Sequence, residues 1–326
     1  MPWFDLPLDA LREYRTATEE PPGLDGWWAE RLNEARGAAH PPGLTAYQTD
    51  AYGRMHVYDV EFSGACGDRI RGWYLRPPGA GDARLPLVVR FIGYGGGRGL
   101  PADHALLAAA GYAVFVMDTR GQGGRWTVGA TGDLAPGPEN STVMTRGIAT
   151  PEGYYFTRLF VDAARAVETA AEFDGVDGSR IAVSGGSQGG ALALASAALL
   201  GDRVTACHAD IPFLCDIQRA VTLTASMPYA EVADFLAVQV DLESAALDTL
   251  RYVDCALLAR RITATCLLSV GLMDDICPPS TVFAAYNEIT APKEIAVFQF
   301  GVHSVPPAHV ERQLRHLRQW SAAGDG

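Results

Sequence analysis

The chain has 326 residues, 48% of them hydrophobic, and its 38 acidic against 26 basic side chains leave a formal net charge of −12. That balance disfavours nucleic acid and anionic membrane surfaces as partners, and no run of 18 apolar residues is present to cross a bilayer. The six cysteines show no C-x-x-C spacing, so neither a zinc site nor a disulfide framework is expected.

In chain order, residues 1–52 are polar, dotted with Trp and rich in Pro and Gly. They read as an extension packed on a main domain at 53–326, with short helices at 9–15 and 25–36. The start Met1-Pro2-Trp3-Phe4 has neither the basic nor the apolar region of a secretory signal, so a cytoplasmic location is expected. Alternating patterns predict an antiparallel strand pair at 57–62 and 70–76. An apolar run at 85–92 suits a strand buried on both faces, and it ends in Gly93-Tyr94-Gly95-Gly96-Gly97. A short helix is expected at 105–110, a strand at 112–117, and a long Gly- and Thr-rich loop at 121–151. A helix at 155–171, a strand at 181–183, a helical insertion at about 212–254 that covers the sheet top, strands at 267–270 and 295–300, and a closing helix at 307–320 complete the series. Lys293, the only lysine, sits beside Pro292 and Glu294 and reads as an exposed turn. Strands alternating with helices at this spacing predict an α/β fold with a mostly parallel, doubly wound sheet. Length alone would allow two domains, but one is expected.

Chemistry enters at Gly185-Gly186-Ser187-Gln188-Gly189, where a glycine-flanked serine stands between a β-type run and an alanine-rich helix. This is the local grammar of a nucleophile elbow, with helix capping by the serine as the plainer alternative. An acyl-transfer serine needs a base, an acid that orients the base, and amide donors for the oxyanion. In the α/β-hydrolase arrangement these follow in the order Ser, Asp or Glu, His, each after a strand. Asp274 follows the strand at 267–270 directly and is preferred over the adjacent Asp275. His303 follows the next strand, whereas His309 and His316 fall inside the closing helix, as surface or packing residues would. The backbone N–H of Gln188, with one from the glycine loop, is placed to serve as the oxyanion hole. That loop lacks the G-x-G-x-x-G spacing of a dinucleotide site. Arg120 and Gln122 read as members of a loop held by internal salt bridges or hydrogen bonds.

The sequence resembles the acetyl xylan esterase and cephalosporin-C deacetylase family, carbohydrate esterase family seven, of the α/β-hydrolase superfamily. The resemblance rests on Arg120-Gly121-Gln122, Gly185-Gly186-Ser187-Gln188-Gly189, the acid segment 271–287, and the stretches 4–8, 144–148 and 228–231. It implies Ser187 as nucleophile, Asp274 as orienting acid, His303 as base, Tyr94 and Gln188 as oxyanion donors, and Arg120 as a residue that helps hold the site. It also implies deacetylation of small acetylated substrates without metal or cofactor, in a cytoplasmic homohexamer. One departure stands out: the family's His-Glu pair is His303-Ser304 here. Another acyl hydrolase or peptidase on the same fold, or a non-catalytic hydrolase-like binding protein, would share much of this pattern.

Overall fold

The computed structural model describes residues 4–47, 50–53, 55–133 and 142–323. Residues 134–141 of the predicted 121–151 loop, and residues 1–3 and 48–49 of the N-terminal extension, lie outside the described residues.

Among the described residues one sheet is built from β1 (Gly43–Ala46), β2 (His56–Ser63), β3 (Arg69–Arg76), β4 (Leu85–Phe91), β5 (Ala113–Met117), β6 (Val176–Gly186), β7 (Ala206–Asp210), β8 (Thr265–Gly271) and β9 (Lys293–Phe298). Their spatial order is β1-β2-β3-β5-β4-β6-β7-β8-β9. The pairs from β1 to β5 are antiparallel, and those from β5 across β4 to β9 are parallel. This is the α/β-hydrolase fold.

Strand periodicity sorts side chains to the two faces. Leu87, Val89 and Phe91 of β4, with Ala113, Phe115 and Met117 of β5, join the larger core. Val88 of β4 and Val114 and Val116 of β5 point the other way into a smaller one. The larger core is closed by α2 (Leu24–Gly37), α4 (Tyr155–Ala171) and α5 (Gln188–Leu200). The smaller is closed by α3 (Ala105–Ala109) and by the closing helix, Pro307–Ala323. Two-sided burial explains why β5 reads as an unbroken apolar run and β4 as one interrupted only by Arg90.

The first helix, α1 (Leu8–Glu13), buries Leu11. Trp28 of α2 stacks on Phe160 of α4, and its Nε1–H donates to the Tyr252 carbonyl at 3.0 Å. The segment 212–254 is helical, as α6 (Ile217–Leu223), α7 (Tyr229–Val238) and α8 (Glu243–Tyr252). It is followed by α9 (Cys255–Leu258), α10 (Pro279–Glu288) and, after β9, α11 (Pro307–Ala323).

Three expectations need correction. β7 carried no strand signal, since Ala206-Cys207-His208-Ala209-Asp210 has no β-branched residue, yet all five side chains are buried and paired on both sides by β6 and β8. The last strand starts at Lys293 and ends at Phe298, two residues earlier than expected. Lys293 is no exposed turn residue: its ammonium donates to the carbonyls of Tyr286, Asn287 and Ile289 at 2.6–3.2 Å and closes the C-terminal end of α10.

Two buried histidines each contribute stability that is sensitive to acid. His208 of β7 shares a 2.9 Å hydrogen bond with His316 of α11, and burial pushes its pKa down from 6.5 to about 3. His104, bonded through Nε2 to the Arg98 carbonyl, is pushed down to about 4, again chiefly by burial. At these two positions the unfolded chain therefore binds more protons than the folded one below pH 6.5, and the stability they contribute drains away as pH falls from there toward 4, against the opposite contribution of Asp254, which burial raises to about 7. The expected slope is roughly 1.4 kcal/mol per pH unit for each histidine in mid-window. Urea unfolding between pH 7.5 and 4.5 checks this, and His208→Asn should flatten the slope.

Candidate active site

Ser187 stands between β6 and α5 with φ 56° and ψ −120°. A positive φ at a non-glycine residue costs about 1–3 kcal/mol and persists only where the surroundings enforce it. Here Ser187 N–H donates to the Asp210 carbonyl at 2.9 Å, and the Ser187 carbonyl accepts from Phe213 N–H and Ala191 N–H, each at 3.0 Å. The flanking glycines are required by close approach. A Cβ on Gly185 would strike the backbone of Gly189, and one on Gly189 would strike the Phe91 carbonyl.

Asp274 lies in the loop after β8 and is fully buried. Its Oδ1 accepts from Ile276 N–H and Cys277 N–H, both at 2.9 Å, which fixes the carboxylate and aims Oδ2 at His303. His303 Nδ1 lies 2.8 Å from that oxygen, and its Nε2 lies 2.9 Å from Ser187 Oγ. Asp275 faces elsewhere, its carboxylate accepting from Ser226 Oγ at 2.7 Å.

His303 does not end a strand. It sits five residues beyond β9, in a loop stitched to the Asp274 loop by Met273 N–H to the Gly301 carbonyl at 2.9 Å. Ser304, at the position of the family's glutamate, is exposed, and its side chain makes no hydrogen bond among the described residues. His309 is buried and bonds Asp210 Oδ1 at 2.9 Å, while Ser269 Oγ and Gln313 Nε2 bond the same carboxylate at 2.7 Å. Asp210 is also the residue whose carbonyl holds Ser187 N–H, so α11 braces the elbow from beneath. Asp210 escaped the sequence reading because β7 did.

The loop after β4 brings Tyr94 beside Ser187, and the N–H groups of Tyr94 and Gln188 donate no hydrogen bond among the described residues. Tyr94 Oη–H donates to Glu231 at 2.8 Å; burial, with Glu231 adding to it, raises the phenol pKa and keeps this donor protonated. Gln122 ties the two oxyanion candidates together. Its Oε1 accepts from Gly95 N–H at 2.6 Å, and its Nε2 donates to Gln188 Oε1 at 2.8 Å and to Tyr155 Oη at 2.9 Å. Arg120 does not reach the pocket. Its guanidinium is buried in bonds to Asp162 at 2.5 and 2.7 Å and to Asp68 at 2.8 Å, and its carbonyl accepts from Tyr155 Oη.

A cavity of about 300 Å³ opens over Ser187, lined by Gly93, Tyr94, Arg125, Trp126, Met227, Pro228, Ile276 and His303. Met227 and Pro228 come from the helical insertion. Trp126 and Arg125 were not singled out from sequence, although an exposed Trp in a glycine-rich loop is such a signal. Among the described residues no group of three or more His, Cys, Asp or Glu side chains is arranged to hold a metal ion. No described helix is long and apolar enough to cross a membrane. A hydroxyl, imidazole and carboxylate in this relay, beside unengaged amides, are the parts required for acyl transfer through a serine.

The chain is similar to known proteins over nearly its whole length. The structure superposes on an acetyl xylan esterase from Paenibacillus sp. R4 with TM-score 0.89 and 35% identity, covering 96% of this chain and 99% of that one. Acetyl xylan esterase 1 from Thermoanaerobacterium sp. JW/SL YS485 matches with TM-score 0.88 and 33% identity over 97% of this chain and 99% of its own. A curated acetyl esterase of Xylanibacter ruminicola is 28% identical over 296 residues, 88% of this chain, which spans 64% of that protein's length. The sequence profile of the acetyl xylan esterase (AXE1) family matches residues 1–320. The chain belongs to the acetyl xylan esterase family.

Proposed function

We propose that this protein removes acetyl groups from small acetylated sugars and xylo-oligosaccharides, and from cephalosporin C, by an acyl-enzyme mechanism. The observation that carries this reading is the relay from Ser187 Oγ through His303 to buried Asp274, opening into a cavity of about 300 Å³. That volume is at the small end of ligand pockets and suits a short acyl group on a compact alcohol.

In the proposed reaction His303 Nε2 takes the Ser187 hydroxyl proton as Oγ attacks the acetyl carbonyl. Asp274 holds the Nδ1–H tautomer and stabilises the imidazolium. The Tyr94 and Gln188 amides receive the oxyanion, aided by the N-terminus of α5. His303 returns the proton to the departing alcohol, and water repeats the sequence on the acetyl-enzyme.

The test is acetate release from acetylated xylose, acetylated xylo-oligomers and cephalosporin C, set against butyryl esters and a peptide amide. Acetyl esters are expected to exceed butyryl esters in kcat/KM by at least tenfold, since an extra methylene or two in a small apolar pocket is worth about 1–3 kcal/mol. Preferred cleavage of the peptide would overturn the assignment. An organophosphate that labels the protein should modify Ser187; an unlabelled protein would point to a binding role instead.

A further inference from the structure

Among the described residues Arg125 is the one side chain in the cavity lining that carries a permanent formal charge. Its placement is built rather than incidental. The turn that holds it is closed by Gly124 N–H to the Thr127 carbonyl at 2.7 Å and pinned by Thr127 Oγ1, which exchanges hydrogen bonds with Gly97 N–H and the Gly97 carbonyl at 3.0 and 2.8 Å. Trp126 Nε1–H donates to the Tyr94 carbonyl at 2.9 Å, fixing the neighbouring residue on the oxyanion loop. The Arg125 stem lies over Gly95, where a Cβ would meet its Cδ at 2.8 Å. Among the described residues its guanidinium has no carboxylate partner.

The nearby acids are engaged elsewhere: Asp274 with His303, Glu231 with Tyr94 and Asp275 with Ser226. A guanidinium is a planar fork that matches a carboxylate with two parallel N–H···O bonds. A chain of net charge −12 repels anions at long range, and a cation kept free at the mouth of the pocket offsets this locally. One positive charge matches one negative charge on the ligand.

We propose that Arg125 selects acetyl esters whose alcohol portion bears a carboxylate. This rests on the esterase reading above. A matched pair of probes tests it: 4-acetoxybenzoate and its uncharged analogue 4-acetoxybenzamide, hydrolysed by the full-length protein and by Arg125→Ala and Arg125→Lys.

In the unsubstituted protein the ratio of kcat/KM, benzoate over benzamide, should exceed one and fall as NaCl is raised to 1 M. Arg125→Ala should lower that ratio about fivefold, mainly through KM, as expected of a partly exposed ion pair. Arg125→Lys should restore part of it, since it keeps the charge but loses the fork. A ratio unchanged by Arg125→Ala, with both esters still turned over, overturns the assignment of Arg125 and leaves the esterase reading standing. Failure of the unsubstituted protein to hydrolyse either ester overturns both.

Discussion

Ser187→Ala is expected to lower acetyl-ester hydrolysis by roughly 10⁴-fold to 10⁶-fold, the loss seen when a serine hydrolase is deprived of its nucleophile. The fold should be indifferent to the change. Among the described residues the hydroxyl bonds His303 and meets the Cys277 thiol, and the backbone that holds the elbow is engaged through Asp210, Phe213 and Ala191 whatever the side chain. Alanine adopts the same positive φ with a Cβ of the same size, so the strain at φ 56° carries over unaltered. Single-turnover kinetics with a chromogenic acetyl ester, together with the thermal midpoint, give the two readouts. A variant that keeps more than a tenth of the rate at an unchanged midpoint would show that Ser187 is not the nucleophile.

The largest stability effect is expected at Arg120. Its guanidinium is wholly buried against Asp162, itself fully buried, and also pairs with Asp68 and, at 3.6 Å, with Asp133. Arg158 and Arg146 converge on neighbouring Asp133 and do not touch Asp162. Among the described residues Arg120→Ala leaves the Asp162 carboxylate with only Ala65 N–H, in surroundings that already raise its pKa by burial.

Breaking a buried pair from one side costs about 3–5 kcal/mol, because the stranded charge has no solvent. For a chain of this size that corresponds to a drop in thermal midpoint of roughly 4–7 °C. The double replacement Arg120→Leu with Asp162→Leu removes both charges and should be less damaging than Arg120→Ala alone. Equal loss in the two would place the energy in packing rather than charge. Activity should fall with Arg120→Ala below the midpoint as well, since Gln122, two residues on, links Gly95 to Gln188.

Much of the architecture is legible in one dimension because its signals are local. A strand buried on both faces is apolar almost throughout, as 113–117 is and as 85–92 is apart from Arg90, and α4 runs over the range its periodicity marks, 155–171. β7 shows where this stops. Ala206-Cys207-His208-Ala209-Asp210 has no intrinsic preference for extended structure, and only the hydrogen bonds of β6 and β8 on either side make it a strand. Everything that β7 carries was hidden with it: Asp210, its grip on the Ser187 amide, and the burial of His309, which helical periodicity alone could equally have placed on the surface.

The chain order of Ser187, Asp274 and His303, the glycines that must flank the elbow, the glycine loop at 93–97 and the family motifs are all properties of sequence, since each is a requirement of local geometry or of residue type. The remainder depends on segments distant in the chain meeting in space. The choice of Asp274 over Asp275 becomes visible in the Ile276 and Cys277 amides that turn one carboxylate toward His303 while Ser226 engages the other. The role of Gln122 as the tie between Gly95 and Gln188, the withdrawal of Arg120 into a buried ion network, and the exposure of Arg125 at the cavity likewise have no sequence signature. Hydrogen bonds and ion pairs between residues tens of positions apart are set by packing of the whole sheet, and spacing along the chain does not encode them.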